Sequence, residues 1–470
     1  MDRRDFLRTT GAAALAAAGH CAEPARPNIL FLFGDDWAWP HASCLGTPQI
    51  QTPTFDRLAR EGVLFRHAHA AAPSCSPSRA AILTGQWHWR LGDGANLRGS
   101  LDPRHAVYPD LLERAGYHVG LSGKGYAPGT WQGWPHNPAG RGFRGFEAFL
   151  TARPKGQPFC FWLGSGFPHR AYPLDSGPRA GFDPAKVVVP PYLPDNETVR
   201  RDICDYQLAA QSFDRHAGEA LAGLERSGEL DNTLIVMSGD NGWPFPRGKA
   251  TCYASGTHQP LAVRWGARVA GGRGVDDFVS LADLAPTFLE AAGLKPPPTM
   301  TARSFLDVLL SAKPGRVDPR RDHTLTGMET HVRCRALPDG TLGGYPMRTL
   351  LTHDFHYLRN FAPERWPAGD PPAAGATPDF AQYAKTTHVG YADIDAGPTK
   401  AWIVTHRDEP ATRPFFDRAC GPRPARELYD LRHDPHELRN VAEEPAYAAT
   451  VKALDARLLA QLQATADPRA

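Results

Sequence analysis

Ser74-Cys75-Ser76-Pro77-Ser78-Arg79-Ala80-Ala81-Ile82-Leu83-Thr84-Gly85 is the segment of this 470-residue chain most able to do chemistry. It reads as the start of a helix, with a polar residue ahead, a proline in the first turn, an apolar stretch and a glycine at the far end. The free N–H groups of such a terminus favour an anion, and they make a cysteine placed there reactive. Arg79, one turn on, adds a fixed cation. Taken alone, the pattern also fits an ordinary capped helix carrying a buried cysteine.

Other candidates stand where apolar runs end. Asn28-Ile-Leu-Phe-Leu-Phe33 runs into Gly34-Asp35-Asp36, and Thr233-Leu-Ile-Val-Met237 into Ser238-Gly239-Asp240-Asn241. His118-Val-Gly-Leu121 leads to Gly123-Lys124, and Phe159-Cys-Phe-Trp-Leu163 to Pro168-His169. Asp35, Asp36, Asp240 and Asn241 offer only oxygen ligands, which suit a hard cation such as Ca²⁺ or Mg²⁺. Each group has a bland alternative: an Asp-Asp pair in a loop, an Asp-Asn-Gly turn, a solvated lysine, a loop histidine. Four tips with usable chemistry are harder to dismiss than one.

The elements that must carry these residues follow from the pattern. Continuous apolar runs suit strands buried on both faces, hence a largely parallel sheet. Helical patterns lie between them at Pro53–Leu64, Tyr108–Ala115, Val199–Ser227 and Ser280–Ala292. Alternating strands and helices predict an α/β sandwich, whose function gathers beyond the carboxyl ends of the strands. From about Tyr345 the texture changes to short strand-like pieces, Met347–Leu351 and His356–Arg359, then a Pro/Gly/Ala loop over 366–378 and a closing helix after Ala446. The expected division is 27–344 for a catalytic domain and 345–470 for a smaller C-terminal α+β subdomain with a short antiparallel sheet.

Composition narrows the class. Apolar residues make up 42% and charged residues 22%, enough for a sizeable core, while 45 Gly and 45 Pro predict many loops. A net charge of +2 without a basic stripe leaves no footprint for nucleic acid. No stretch approaches the ~18 apolar residues of a transmembrane segment. Residues 1–26, with Arg3-Arg4 ahead of Phe6-Leu7 and an Ala-rich run, resemble a twin-arginine export signal; the expected location is periplasmic or extracellular, with the twin-arginine machinery as partner. The eight cysteines form no C-x-x-C pair, which argues against structural zinc.

Cys75-x-Pro77-Ser78-Arg79-x-x-x-Leu83-Thr84-Gly85 matches the sulfatase signature, and the chain resembles that family from about Pro27 to Ala442. Pro27–Phe31 with Asp35-Asp36, Thr52–Ala59, Gly123-Lys124, Asp240-Asn241-Gly242 and Glu427–Asn440 resemble its blocks in order. Asp240–Lys249, Val188–Pro194 and Gly344–Arg348 look most like the heparan N-sulfatase branch. The resemblance implies an alkaline-phosphatase-like fold, Ca²⁺ (or Mg²⁺) held by Asp35, Asp36, Asp240, Asn241 and modified Cys75, and conversion of Cys75 to formylglycine by a maturation enzyme. Hydrated to a gem-diol, that residue would attack sulfur, with Arg79 steadying it, Lys124 and Lys249 holding sulfate oxygens, and His169 protonating the leaving group. The substrate implied is a sulfated saccharide, best the N-sulfate of glucosamine in heparan-type glycans. An O-sulfatase, a phosphodiesterase or phosphonate hydrolase, and an inactive glycan-binding homologue are the rivals.

One departure stands out. Where the branch has Lys-x-His, this chain has Lys124-Gly125-Tyr126, and a tyrosine is a poor base near neutral pH. Tyr126, Glu329 and His331 are the expected substrate contacts. His67-Ala-His69 has metal-like spacing but reads better as structure. Trp131, Trp134 and Trp243 could stack on a sugar, though partly buried packing is the commoner role.

Overall fold

A computed structural model describes residues 26–470. The export-signal segment, apart from Arg26, lies outside the described residues, as does Cys21. Eight strands form the main sheet: β1 (Asn28–Gly34), β2 (Val63–His69), β3 (His118–Gly123), β4 (Arg141–Gly142), β5 (Phe159–Gly164), β6 (Thr233–Gly239), β7 (His258–Arg264) and β8 (Arg273–Ser280). Their order is β4-β3-β5-β1-β6-β7-β2-β8. All neighbours run parallel except β7, which opposes both β6 and β2.

The continuous apolar runs are explained by burial on two sides. In β1, Ile29, Phe31 and Phe33 enter one core cluster while Leu30 and Leu32 enter another. β5 and β6 divide in the same way, with Trp162 and Val236 on the first side and Phe161 and Met237 on the second. A strand alternates its side chains between faces, so each face of the sheet has its own core. The second is closed by a 30-residue helix, Glu197–Arg226. The Asn196 side chain accepts the Val199 N–H at its start, and Ala210, Phe213, Ala217, Leu221 and Leu224 form its buried stripe.

A second, antiparallel sheet has the order β14-β13-β12-β9, from β9 (His323–Met328), β12 (Met347–Thr352), β13 (Phe355–Asn360) and β14 (Arg426–Asp430). A two-residue pair, β10 (Arg335–Ala336) and β11 (Leu342–Gly343), stands beside it. β9 pairs with β12 through six residues, Met328 opposite Met347 to His323 opposite Thr352. The division expected at 344/345 therefore cuts through one sheet, because β9 belongs with the later strands. The helix after Ala446 spans Ala448–Ala464 and buries Val451, Leu454, Leu458 and Leu462.

The later segment also reaches back. Tyr383, Tyr391, Ala401, Ile403, Val404 and Phe416 share a cluster with Val199, Ile203, Tyr206 and Trp243. The helix Pro398–Thr405 thus packs on the first half of the long helix, bringing residues 387–395 toward the strand tips. Among the described residues, no helix is long and apolar enough to cross a membrane, and all seven cysteines are free.

Candidate active site

The tips of β1 and β6 meet because Gly239 permits it, and those of β3 and β5 because Gly164 does. A Cβ on Gly239 would lie 1.8 Å from the Trp37 carbonyl oxygen, and one on Gly164 would lie 1.9 Å from that of Lys124. Only glycine allows such backbone approach. Past β1 the chain turns at Asp36, whose φ of 64° is uncommon outside glycine but tolerated by Asp. The Asp36 N–H donates to Asp240 Oδ1 at 2.9 Å, locking the two tips together.

Opposite them, Cys75 opens the helix Cys75–Thr84, which is buried along its whole length and ends at Gly85 with φ 60°. Ser74 does not cap this helix with its side chain; its hydroxyl meets His331 Nδ1 at 2.7 Å. Asp35, Asp36, Cys75 and Asp240 each bring a ligand atom within 4.8 Å of the others, all buried. Cys75 Sγ lies 3.4 Å from Asp35 Oδ1 and 3.9 Å from Asp36 Oδ1. Asn241 donates its amide to Asp36 Oδ1 at 2.7 Å, while its own carbonyl oxygen is buried without a partner. An oxygen-rich set with an orphaned buried acceptor fits a hard divalent cation.

Arg79 braces the group from behind. Fully buried, it gives Nε to Asp240 Oδ2 at 2.8 Å, Nη1 to the carbonyls of Lys124 at 2.7 Å and Gly125 at 2.9 Å, and Nη2 to Asp35 Oδ1 at 3.4 Å. Its rigid fork ties β1, β3 and β6 in one stroke. Lys124 Nζ holds both Asp35 oxygens, at 2.7 and 2.6 Å, and Lys249 Nζ holds Asp36 Oδ2 at 2.9 Å. His169 Nε2 stands 3.8 Å from Asp36 Oδ2, while its Nδ1 is tied to the Arg170 carbonyl.

Burial and charge compete here. Burial works to raise the Asp35 pKa, yet Lys124 and Arg79 overcome it and hold the carboxyl well below its ordinary value. Burial pushes Asp240 up, and Arg79 offsets only part of that. The Cys75 thiol is driven well above its usual value by burial and then by Asp35. Burial opposed by specific charge partners in one cleft is what makes these groups the candidate site.

The cleft above these groups has a volume of about 850 Å³ and is lined by Asp35, Cys75, Lys124, His169, Lys249 and His331. Arg98 and Arg333 stand exposed at its rim, beside His388. Asp395 also lines it and bonds Lys249 Nζ at 3.2 Å. No motif announces Asp395, since it lies in an irregular loop about 150 residues from its lysine partner; only tertiary packing places it.

Two expected contacts fall elsewhere. Tyr126 is wholly buried, and its hydroxyl donates to the Gly99 carbonyl at 3.0 Å, so it faces the core and not the cleft. Glu329 is committed to ion pairs with Arg348, at 2.5 Å, and Arg469, at 2.6 Å, outside the cleft lining. Two guanidiniums nearby are a stronger attraction than an open loop position. His331 does reach the cleft. His67 and His69 are structural: His69 stacks on His258 at 4.7 Å and His67 packs on Phe278 at 4.8 Å. None of Trp131, Trp134 and Trp243 lines the cleft, and Trp243 is buried against Phe245.

A largely parallel sheet whose strand tips gather carboxylates and lysines around a helix-end cysteine defines a hydrolase of alkaline-phosphatase-like architecture. The chain belongs to the sulfatase family, whose sequence model, described as Sulfatase, matches residues 27–144 and 141–294. It is 28% identical over 514 residues to N-sulphoglucosamine sulphohydrolase of Homo sapiens, covering 97% of this chain and 93% of that protein. Identity to an ulvan-active sulfatase of Formosa agariphila is 26% over 464 residues, covering 94% and 81%. Among solved structures, a protein in complex with its substrate D-glucosamine-2-N,6-O-disulfate superposes with a TM-score of 0.65 at 19% identity, over 94% of this chain and 99% of that one. A phosphonate monoester hydrolase from Silicibacter pomeroyi gives 0.67 at 19% identity, over 94% and 96%, which speaks for the shared fold.

Proposed function

We propose that this chain is an exported sulfatase that removes the sulfate of a sulfated saccharide, namely the N-sulfate of glucosamine in heparan-type glycans. The observation that carries it is the convergence of Asp35, Asp36 and Asp240 on Cys75, with Asn241 bonded to Asp36 and with Lys124 and Lys249 flanking the same carboxylates. Similarity to the human sulphohydrolase across nearly the whole of both chains favours the N-sulfate.

Ca²⁺ bound by the four tip residues would neutralise sulfate oxygens and polarise sulfur, and Cys75 converted to formylglycine would supply a hydrated hydroxyl as nucleophile. The chain's own groups do the rest. Arg79 keeps Asp35 and Asp240 fixed, so the ligand set needs no reorganisation during turnover. Lys124 and Lys249 neutralise Asp35 and Asp36; with a cation in place, both ammonium groups are free to hold sulfate oxygens. The tie between His169 Nδ1 and the Arg170 carbonyl leaves Nε2 as the nitrogen that gives a proton to the departing amine. The family's usual histidine two residues after the lysine, which helps handle the formylglycine hydroxyl and sulfate, is replaced by the core-facing Tyr126, so that task falls to another group of the cleft.

The test is sulfate release by protein coexpressed with a formylglycine-generating enzyme. N-sulfoglucosamine, glucosamine 6-sulfate, an aryl sulfate and an aryl phosphate form the panel, with Cys75→Ala as control. Release from N-sulfoglucosamine that disappears in the control, by at least about a thousandfold, is the expected result. Release only from the O-sulfate keeps the chemistry and overturns the substrate. Chelation should lower Tm and abolish turnover, and added Ca²⁺ should restore both, with Tm rising with its concentration.

A further inference from the structure

A cleft that must attract sulfate contains a carboxylate, Asp395, outside the predicted cation-ligand set of Asp35, Asp36, Asp240 and Asn241. Asp395 Oδ2 lies 3.2 Å from Lys249 Nζ, which Asp36 Oδ2 also meets at 2.9 Å. The ligand atoms of Asp36, His169 and Asp395 lie within 4.8 Å of one another, so Asp395 stands beside the imidazole assigned to the leaving group. Its side chain is 18% exposed, into the cleft. A negative charge there repels sulfate unless another part of the substrate answers it.

Its position is built, not incidental. Two residues before it, Asp393 pairs with Arg335 at 2.5 Å and accepts the Val332 N–H at 2.7 Å. Lys400 Nζ clamps the Ile394 carbonyl at 2.8 Å, and the Ala396 N–H donates to Thr387 Oγ1 at 3.1 Å. Backbone anchored on both sides of a functional carboxylate is how a site is preorganised.

An ionised carboxylate only accepts hydrogen bonds. The bridging atom of an O-sulfate ester carries no hydrogen, whereas that of an N-sulfated sugar carries an N–H and departs as an amine that takes up protons. We propose that Asp395 is a specificity residue of the cleft, accepting the N–H of an N-sulfated amino sugar and holding the ammonium group of the released one. This rests on the N-sulfate reading, and its test reads binding, not turnover.

The experiment compares glucosamine and glucose as ligands of the Ca²⁺-supplemented protein at pH 6.5, by ligand-observed NMR titration, with inorganic sulfate as a third probe. The wild type is expected to bind glucosamine about tenfold more tightly than glucose, and the preference should fade as the amine deprotonates above about pH 8. Asp395→Asn should erase the preference, leave glucose affinity alone and bind inorganic sulfate at least as well. Equal binding of the two sugars by the wild type overturns the proposal without any variant. A preference that persists in Asp395→Asn overturns it, and so does weakened sulfate binding, which would make the residue a mere support for Lys249. Failure to release sulfate from N-sulfoglucosamine, with the glucosamine preference intact, would sink the substrate reading and leave Asp395 as an amine-binding residue.

Discussion

The two sides of the cleft are built by different means. The floor is made by strand tips and one helix end: Asp35, Asp36, Asp240 and Asn241 sit one or two residues past strands whose ladder bonds fix them, and buried Arg79 links three of those tips. The facing wall, Thr387 and His388 in a single 3-10 turn and Asp395 in irregular chain, has no ladder, and its order comes from side chains of neighbouring segments, above all the Asp393–Arg335 pair. Backbone pairing holds the strands up to the residue before Asp35 and the residue before Asp240. The wall depends on a few contacts and can be altered without unmaking the sheet, which suits chemistry on one side and recognition on the other.

That contrast can be broken by experiment. Arg79→Ala should have the largest effect, because it leaves Asp240 and Asp35 buried without their cation: about 3–5 kcal/mol of stability by denaturant unfolding, together with loss of kcat. Asp393→Asn acts on the wall, weakening one buried charge-assisted bond at a cost of about 2 kcal/mol, and should raise KM while changing kcat little. An equal collapse of kcat in both variants would mean that the two sides are one unit.

Acid should find a weakness common to the whole molecule. Burial, with Arg348 adding to it, lowers the His88 pKa to about 3, and burial brings His41 to about 3 and His67 to about 4. Unfolded, these rings take up protons below about 6.5, whereas folded they stay neutral to far lower pH. Stability is therefore full above pH 6.5 and falls as the pH drops toward 4, by about 1 kcal/mol per histidine between pH 6.5 and 5.5. His88→Gln should flatten the fall of Tm measured from pH 7 to 5. A curve as steep as the wild type's would show that His88 is protonated in the folded state.

The smallest effect belongs to Tyr126→Phe. Its hydroxyl serves only the Gly99 carbonyl, so stability should drop by about 1 kcal/mol and sulfate release should stay within about twofold of the wild type. A large loss of kcat would return Tyr126 to the cleft and count against its orientation toward the core.

Much of the floor is legible in the residue pattern. Apolar runs ending in Asp35-Asp36, Lys124 and Asp240-Asn241 announce buried parallel strands with chemistry at their ends, and the strands form within a residue or two of the expected bounds. The helix at Cys75 is equally legible from its proline and terminal Gly85. Glu329 and Tyr126 escape such reasoning because their polarity is visible and their partners are not: Arg469 lies 140 residues from Glu329, and Gly99 lies 27 from Tyr126. β9 falls on the wrong side of the expected boundary because pairing partners leave no mark in a six-residue strand.

The sequence alone determined the strands, the helix that begins at Cys75 and the oxygen-bearing side chains at the strand tips, since those depend on local periodicity and on residues adjacent to it. Tertiary structure decided which polar side chains face the cleft. It spent Tyr126 and Glu329 on internal bonds and carried Asp395 across the fold to Lys249, because a charged group goes where long-range packing places its partner, and that distance is not written in neighbouring residues.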